Sequence, residues 1–328
     1  MKAVVLRSYG SPGQLRVTDV DTPVPAADEV LVRVRGTSVN PYDWHHVSGE
    51  PYVARLMPGS LGLRGPKVGI LGCDMAGQVE AVGADVTGFR PGDDVYALLS
   101  GGGFAEYVSV KQDLLAPKPV NLSYEQAAAV PMAAVTALFG LQDVGGLKPG
   151  QRVLVNGASG GVGTFAVQIA AAIGATVTGV CGAKNSGLVR SLGADEVIDY
   201  RTADFTRHDK RHDLLLDIAG GRPAAACRRV LTAGGTLVLI GAPAGRWLQP
   251  VGHMIGMFAA APFVSPRIAL ADTGSCGQKK EHLQALTALI EDGKVTPVID
   301  RRYPFAEISA AVEYSMAGHA AGKVVVPI

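Results

Sequence analysis

The sequence predicts a two-part α/β protein: a partly open β-barrel joined to a doubly wound parallel sheet. Three observations predict it. An apolar, β-branched strand, Val153-Leu154-Val155-Asn156, runs straight into Gly157-x-x-Gly160-x-x-Gly163, and an apolar helix, Thr164 to Ile173, comes out. Strands near Val153, Val177, Val197, Leu214 and Leu237 then alternate with helical segments, the rhythm of a doubly wound parallel sheet. The first third of the chain instead carries short β-type segments separated by Gly, Pro and Asp, which suits a barrel.

Each glycine in the motif has a physical reason. Gly157 lets the chain turn tightly off the strand, and Gly160 removes a Cβ where a pyrophosphate would approach. Gly163 lets the helix pack close to the sheet, and the helix start offers free N–H groups and a positive dipole end. A glycine triplet alone also closes ordinary loops. The strand before, the helix after and a second strand, Thr176 to Cys181, favour the dinucleotide.

Which dinucleotide follows from what is missing. A site for NAD usually ends its second strand with an Asp or Glu about 20 residues beyond the glycines. Here Val180-Cys181-Gly182-Ala183-Lys184-Asn185-Ser186 holds no carboxylate. Lys184 brings a positive charge and Ser186 a small donor, which suit a 2′-phosphate, so NADP(H) is expected. The bland alternative is a solvated lysine opening a helix.

Along the chain, Val4-Val5-Leu6, Leu15-Arg16-Val17, Val30 to Val34 and Gly77 to Val82 read as strands. Pro91-Gly92-Asp93-Asp94 is a turn before a strand at Val95 to Leu98, and Gly101 to Gly103 lead into Phe104 to Val108. From Ser123 the period changes: Tyr124 to Val130 and Ala133 to Val144 read as helices, the first opened by a Ser123-x-x-Gln126 capping box. After Ser275 come an amphipathic helix, Glu281 to Asp292, and strands at Val298 and Lys323 to Val326. Residues 123–270 are thus expected as the cofactor domain, inserted into a catalytic domain of residues 1–122 and 271–328. A sixth parallel strand near Phe263 would form an exposed sheet edge, which favours a homodimer.

Composition narrows the function classes. With 48% hydrophobic and 18% charged residues, the chain is a well-buried globular protein. A net charge of +1 gives no reason to expect nucleic acid or an anionic membrane as partner. No apolar run reaches the roughly 18 residues of a membrane span, and the start is too soon interrupted for a signal peptide. Four scattered cysteines form no CxxC motif and fit a reducing, cytoplasmic setting. Histidines four apart in His208-Asp209-Lys210-Arg211-His212 read as a solvated turn, not a metal helix. His45 and His46 beside Trp44 read as surface or hydrogen-bonded histidines that alternatively touch substrate.

Several stretches run in one order from end to end: Ser38-Val39-Asn40-Pro41-Tyr42-Asp43, Gly72-Cys73-Asp74-Met75-Ala76-Gly77, Pro91 to Ala97, Gly103 to Val108, Val130-Pro131-Met132-Ala133-Ala134-Val135-Thr136-Ala137, the glycine motif, Leu192 to Asp195 with Val197 to Tyr200, and Gly322-Lys323-Val324-Val325. Together they resemble the medium-chain dehydrogenase/reductase superfamily, and within it the zinc-free quinone oxidoreductase-like branch. The resemblance implies a GroES-like catalytic domain and a Rossmann cofactor domain. Zinc-dependent members hold their metal with a Cys, a His-Glu pair and a second Cys. Those positions fall at Asn40, Cys73-Asp74 and Met132, short of the three ligands a catalytic zinc needs, so no metal is expected.

Without zinc, the chemistry must be one that hydrogen bonds can support. Hydride added to a quinone or to the β-carbon of an enone leaves a delocalised anion that donors stabilise, whereas alcohol–ketone interconversion builds an alkoxide. An NADPH-dependent quinone or enone reductase is therefore expected. A zinc-free alcohol dehydrogenase-like enzyme and a low-turnover NADPH-binding scaffold or redox sensor are the alternatives. The resemblance places Asn40 and Tyr42 at the floor of the substrate cleft as candidate catalytic donors, with a plain turn as the other reading. It assigns Thr136, Ser159, Gly160, Gly161, Val162, Lys184, Tyr200, Gly241 and Lys323 to the cofactor. Asp43 is expected to fix the local turn, and Cys73 to be a small buried hydrophobe.

Overall fold

A computed structural model describes residues 1–56, 61–241, 245–247, 251–260, 266–273 and 276–328, with backbone alone at 251, 254, 259 and 260. In chain order, β1 (Lys2–Val5) and β2 (Arg16–Asp19) form an antiparallel ribbon. The barrel is built on β3 (Glu29–Val39), long enough to serve several neighbours. Its first half pairs with β6 (Tyr107–Lys111), its far half with β15 (Lys323–Pro327), and its other edge with β4 (Asp74–Val82). With β5 (Asp94–Leu98), β7 (Leu115–Pro117) and β14 (Ile299–Arg302) the order is β14-β15-β3-β4-β5-β7. Sharing one strand among three partners curls the sheet around Val32, Met75, Val95 and Leu115.

Helix α1 (Pro41–Ser48) starts where it does for local reasons. Pro41 supplies the fixed φ of a first helical residue, and the Asp43 carboxylate takes the Asn40 N–H at 2.8 Å. Gly49 ends the helix in the left-handed conformation (φ 64). Next come α2 (Tyr124–Ala128), opened by Ser123 as expected, and α3 (Pro131–Phe139). The expected helix to Val144 is broken: after Phe139 the chain widens into a π-type turn over Gly140–Val144.

The parallel sheet contains β8 (Arg152–Asn156), β9 (Thr176–Cys181), β10 (Glu196–Asp199), β11 (His212–Asp217), β12 (Leu231–Leu239) and β13 (Arg267–Leu270). Its order, β10-β9-β8-β11-β12-β13, reverses direction at β8, as in doubly wound folds. Helices α4 (Gly161–Ile173), α5 (Ser186–Ser191), α6 (Ala224–Cys227) and α7 (Val251–Ala260) connect the strands. The edge strand is β13; Phe263 itself lies outside the described residues. His212 is no solvated residue: it opens β11, is buried, and meets Val230 O and Thr178 Oγ1 at 3.2 and 3.1 Å.

The chain divides into two compact units, one of residues 1–132, 277–293 and 297–328, the other of 133–276 and 294–296. The first unit extends past residue 122 because α2 packs on β3 and β4. It also claims α8 (Lys279–Glu291), whose Leu283 carbonyl accepts the buried Tyr96 hydroxyl at 2.6 Å, and α9 (Ile308–Met316), which packs on α1. Thr296 stays with the second unit, its backbone bonded both ways by Gln168.

Candidate functional site

In the second unit the glycine turn is built as its spacing requires. Gly157 sits at φ 92, and a Cβ on Gly163 would come within 2.1 Å of Gly157 O, so the helix is seated hard against the turn. A Cβ on Gly160 would meet nothing of the protein closer than 3.6 Å. Gly163 is therefore a glycine for packing, whereas Gly160 keeps a surface clear. The first N–H of α4 with a backbone partner is that of Thr164, onto Gly160 O. Those of Gly161, Val162 and Gly163 have no backbone acceptor among the described residues. A half-buried helix start with three open donors, facing a position cleared of Cβ, fits a pyrophosphate.

Around that turn, Ser159 Oγ accepts Asn185 Nδ2 at 3.2 Å. Lys184 is exposed in a short turn (Ala183–Asn185) after β9. Tyr200, 54% exposed, stands over Gly182, and the Arg201 guanidinium is 5.9 Å from its ring centre. This corner, rich in cations and with no carboxylate on β9's end, fits a 2′-phosphate. Arg201 was missed in the sequence because nothing in its spacing ties it to Lys184.

Two other expected cofactor residues have internal employment. Thr136 is buried and shares a 2.6 Å hydrogen bond with Thr273. Gly241 is a glycine because a Cβ there would lie 2.2 Å from Ile218 O. Sequence reading also passed over Asp217, a carboxylate closing β11 after Leu214-Leu215-Leu216. It is fully buried and accepts Asn156 Nδ2 (2.7 Å) and Gly220 N (2.9 Å), and burial raises its proton affinity.

In the first unit the chemistry-bearing residues form a buried polar knot. Asp74 is its centre. One carboxylate oxygen accepts Met132 N (2.6 Å); the other accepts Ser38 Oγ, Asn40 Nδ2 (2.9 Å) and Lys323 Nζ (3.0 Å). Lys323 also donates to Asn40 Oδ1 at 2.5 Å, while Asn40 Nδ2 gives its second hydrogen to Ser38 O (3.4 Å). Asp74, Asn40 and Lys323 are 0, 2 and 3% exposed. Asn40 and Lys323, expected as substrate donor and cofactor contact, are thus engaged with one another and with Asp74, and their roles toward substrate and cofactor stand as proposals.

Beside the knot, Asp43 accepts Asn40 N and Gly72 N (3.0 Å), so it holds the start of α1 as expected. Complete burial, aided by the nearby Asp74 charge, raises its pKa to about 7. Tyr42 is half-buried, its ring stacked on His46 at 3.9 Å and its hydroxyl donating to Ser100 O at 3.1 Å. Burial and the adjoining Cys73 and Asp43 push its pKa upward, so it stays a protonated donor. His45 and His46 bond the carbonyls of Glu50 and Tyr42, within the hydrogen-bonded reading.

The donors at the four zinc-ligand positions do not suit a metal. Asn40 and Asp74 are satisfied by the Lys323 cation, and Met132 meets Asp74 through its backbone. Cys73 is 1% exposed, with its thiol pushed well above the ordinary range by burial and by Asp43 and Asp74. No three His, Cys, Asp or Glu side chains converge among the described residues.

Residues 26–120 match the alcohol dehydrogenase GroES-like domain family, and residues 192–326 match a family described as zinc-binding dehydrogenase. The chain is 34% identical to the chloroplast envelope quinone oxidoreductase homolog of Arabidopsis thaliana, over 99% of this chain and 98% of that one. It is also 34% identical to the mitochondrial NAD(P)H oxidoreductase RTN4IP1 of Bos taurus, over 100% of this chain and 89% of that one. The structure of the quinone oxidoreductase from Coxiella burnetii aligns with a TM-score of 0.86 at 29% identity, covering 100% of this chain and 99% of that one. Sequence, fold and the exchanged metal positions agree: the chain belongs to the medium-chain dehydrogenase/reductase superfamily, in its zinc-free quinone oxidoreductase-like branch.

Proposed function

We propose that this protein is an NADPH-dependent oxidoreductase that reduces quinones or α,β-unsaturated carbonyls without a metal. The observation that carries the reading is the open start of α4, three N–H donors facing a position kept clear by Gly160, with the Lys184 and Arg201 cations and the Tyr200 hydroxyl following β9 and β10. The relatives named quinone oxidoreductase and NAD(P)H oxidoreductase support it. When bound, NADPH supplies the hydride.

The chain's own residues do the rest. The N–H groups of Gly161 and Val162 take the pyrophosphate, with Ser159 flanking it, while Lys184 and Tyr200 take the 2′-phosphate. Thr136 and Gly241 remain candidate nicotinamide contacts. Tyr42, a protonated hydroxyl, leaves the exposed Ser100 carbonyl and donates to the acceptor oxygen as negative charge builds there. Asn40 and Asp43 shape the start of α1 that carries Tyr42. An acceptor whose product anion is delocalised needs no more than such donors.

Loss of reduced-nicotinamide absorbance with naphthoquinones and conjugated enones tests the reading. Turnover in either panel, with NADPH preferred to NADH, supports it. Reduction of NADP by simple alcohols would make the protein an alcohol dehydrogenase. NADPH binding with no turnover in any panel would make it a scaffold or redox sensor. The edge position of β13, with Leu270, Ile255 and Phe258 exposed, supports a homodimer, to be checked by light scattering. Four buried cysteines, none in a disulfide among the described residues, support a reducing compartment, and the cytoplasm is the proposed one; fractionation decides between it and the organelles named for the relatives.

A further inference from the structure

A lysine ammonium that is 3% exposed is expensive to bury, and it persists only where its charge and hydrogens are answered. Lys323 is answered by Asp74 and by the Asn40 carbonyl oxygen, two of the positions where zinc-dependent relatives keep ligands. The consequence goes beyond charge balance. Asn40 is the residue before α1, and its amide is held from three sides, by Lys323, Asp74 and the Ser38 carbonyl. Asn40 and Asp43 also face each other across the helix start as a capping box, the Asp43 carboxylate taking the Asn40 N–H. Among the described residues Lys323 is the cation bonded within the knot on which the first turn of α1 hangs, and Tyr42 sits in that turn.

We propose that Lys323 is a positioning residue: its ammonium is the resident cation of the knot and, through Asn40, fixes the first turn of α1 and the aim of Tyr42. The consequence for turnover rests on the reading of Tyr42 as donor. The consequence for α1 does not. Removing the ammonium leaves the buried Asp74 charge unanswered, so Lys323→Met loses stability for that reason alone. Adding Asp74→Asn removes the charge while leaving Asn40 without its third hold, free to turn its amide over.

The test compares the wild type, Lys323→Met and Lys323→Met/Asp74→Asn, each also with Trp247→Phe. The protein has two tryptophans, so Trp44 of α1 then reports alone. The double variant should regain much of the lost Tm, yet kcat should stay down by about tenfold or more. NADPH affinity should change less than twofold, and acrylamide should quench Trp44 more strongly than in the wild type. Recovery of kcat and quenching together with Tm would overturn the proposal, leaving Lys323 a charge balance only. A fall in NADPH affinity that matches the fall in kcat would overturn it too, by making Lys323 a cofactor ligand. A wild type with no turnover would defeat the reading of Tyr42 instead, and the Trp44 comparison would still decide the placement of α1.

Discussion

The polar knot around Asp74 and the glycine turn before α4 are opposites. In the knot, Asp74 and Asn40 are satisfied from within, by partners on β3, β15 and the start of α3. In the turn, three backbone donors are left open, and the glycine beside them excludes nothing but a side chain. A closed set of valences holds a shape, and an open set awaits a ligand. The contrast separates residues that position from residues that bind, even where both are polar and both lie in recurring motifs.

The sharpest way to break this division is at Gly163. Valine there drives a Cβ into Gly157 O, so Gly163→Val should cost about 3 kcal/mol or more and abolish NADPH binding, measured by denaturant unfolding and fluorescence titration. Wild-type stability would show that the helix does not need its close seat.

The pH dependence of stability should run in opposite senses in the two units. The folded value of Asp43, about 7, lies above its ordinary 3.8, so its contribution is complete below about pH 4 and is lost as pH rises to about 7. His212 is lowered from 6.5 to about 4 by burial, so its contribution is complete above about pH 6.5 and is lost as pH falls toward 4. Each change should amount to a few kcal/mol. Asp43→Asn should flatten the first slope and His212→Gln the second, in urea melts taken across the range. A slope that survives its own substitution belongs to another group.

Tyr42→Phe should lower kcat on the order of 10- to 100-fold with little change in Tm, because the hydroxyl holds only a carbonyl of an exposed segment. Unchanged kcat would move the donor elsewhere. Lys184→Asp should weaken NADPH by about tenfold and narrow its preference over NADH. Gly160→Ala is the mildest: Tm should stay put, since no protein atom lies nearer than 3.6 Å to the new methyl, while NADPH affinity falls by up to about tenfold. A drop in Tm instead would place Gly160 among the packing glycines.

What sequence reading could reach divides along the same line. The turn was legible because its constraints are local: seven residues, one backbone path, and a strand and helix on either side. The barrel and the parallel sheet were legible from their different periods. The knot was not. Asn40, Asp74 and Lys323 lie up to 283 positions apart, and Lys323 looked like a residue reaching outward because a lysine usually is. Asn40 had the right chemistry for a donor, and only its partners show that the chemistry is already engaged. His212 was misplaced for a similar reason: charged neighbours suggested water, whereas the pairing of β11 with β12 drew it inside.

One consequence concerns synthesis. Strand β15 lies between β14 and β3, so the barrel's central ladder waits for a segment made long after its neighbour. As the chain leaves the ribosome, β8 to β13 are all available before Lys323 emerges, and the nucleotide-gripping unit is free to form first. Throughout that interval Asp74 lacks its lysine, and translation has to reach the last of the strands before the far half of β3 can settle.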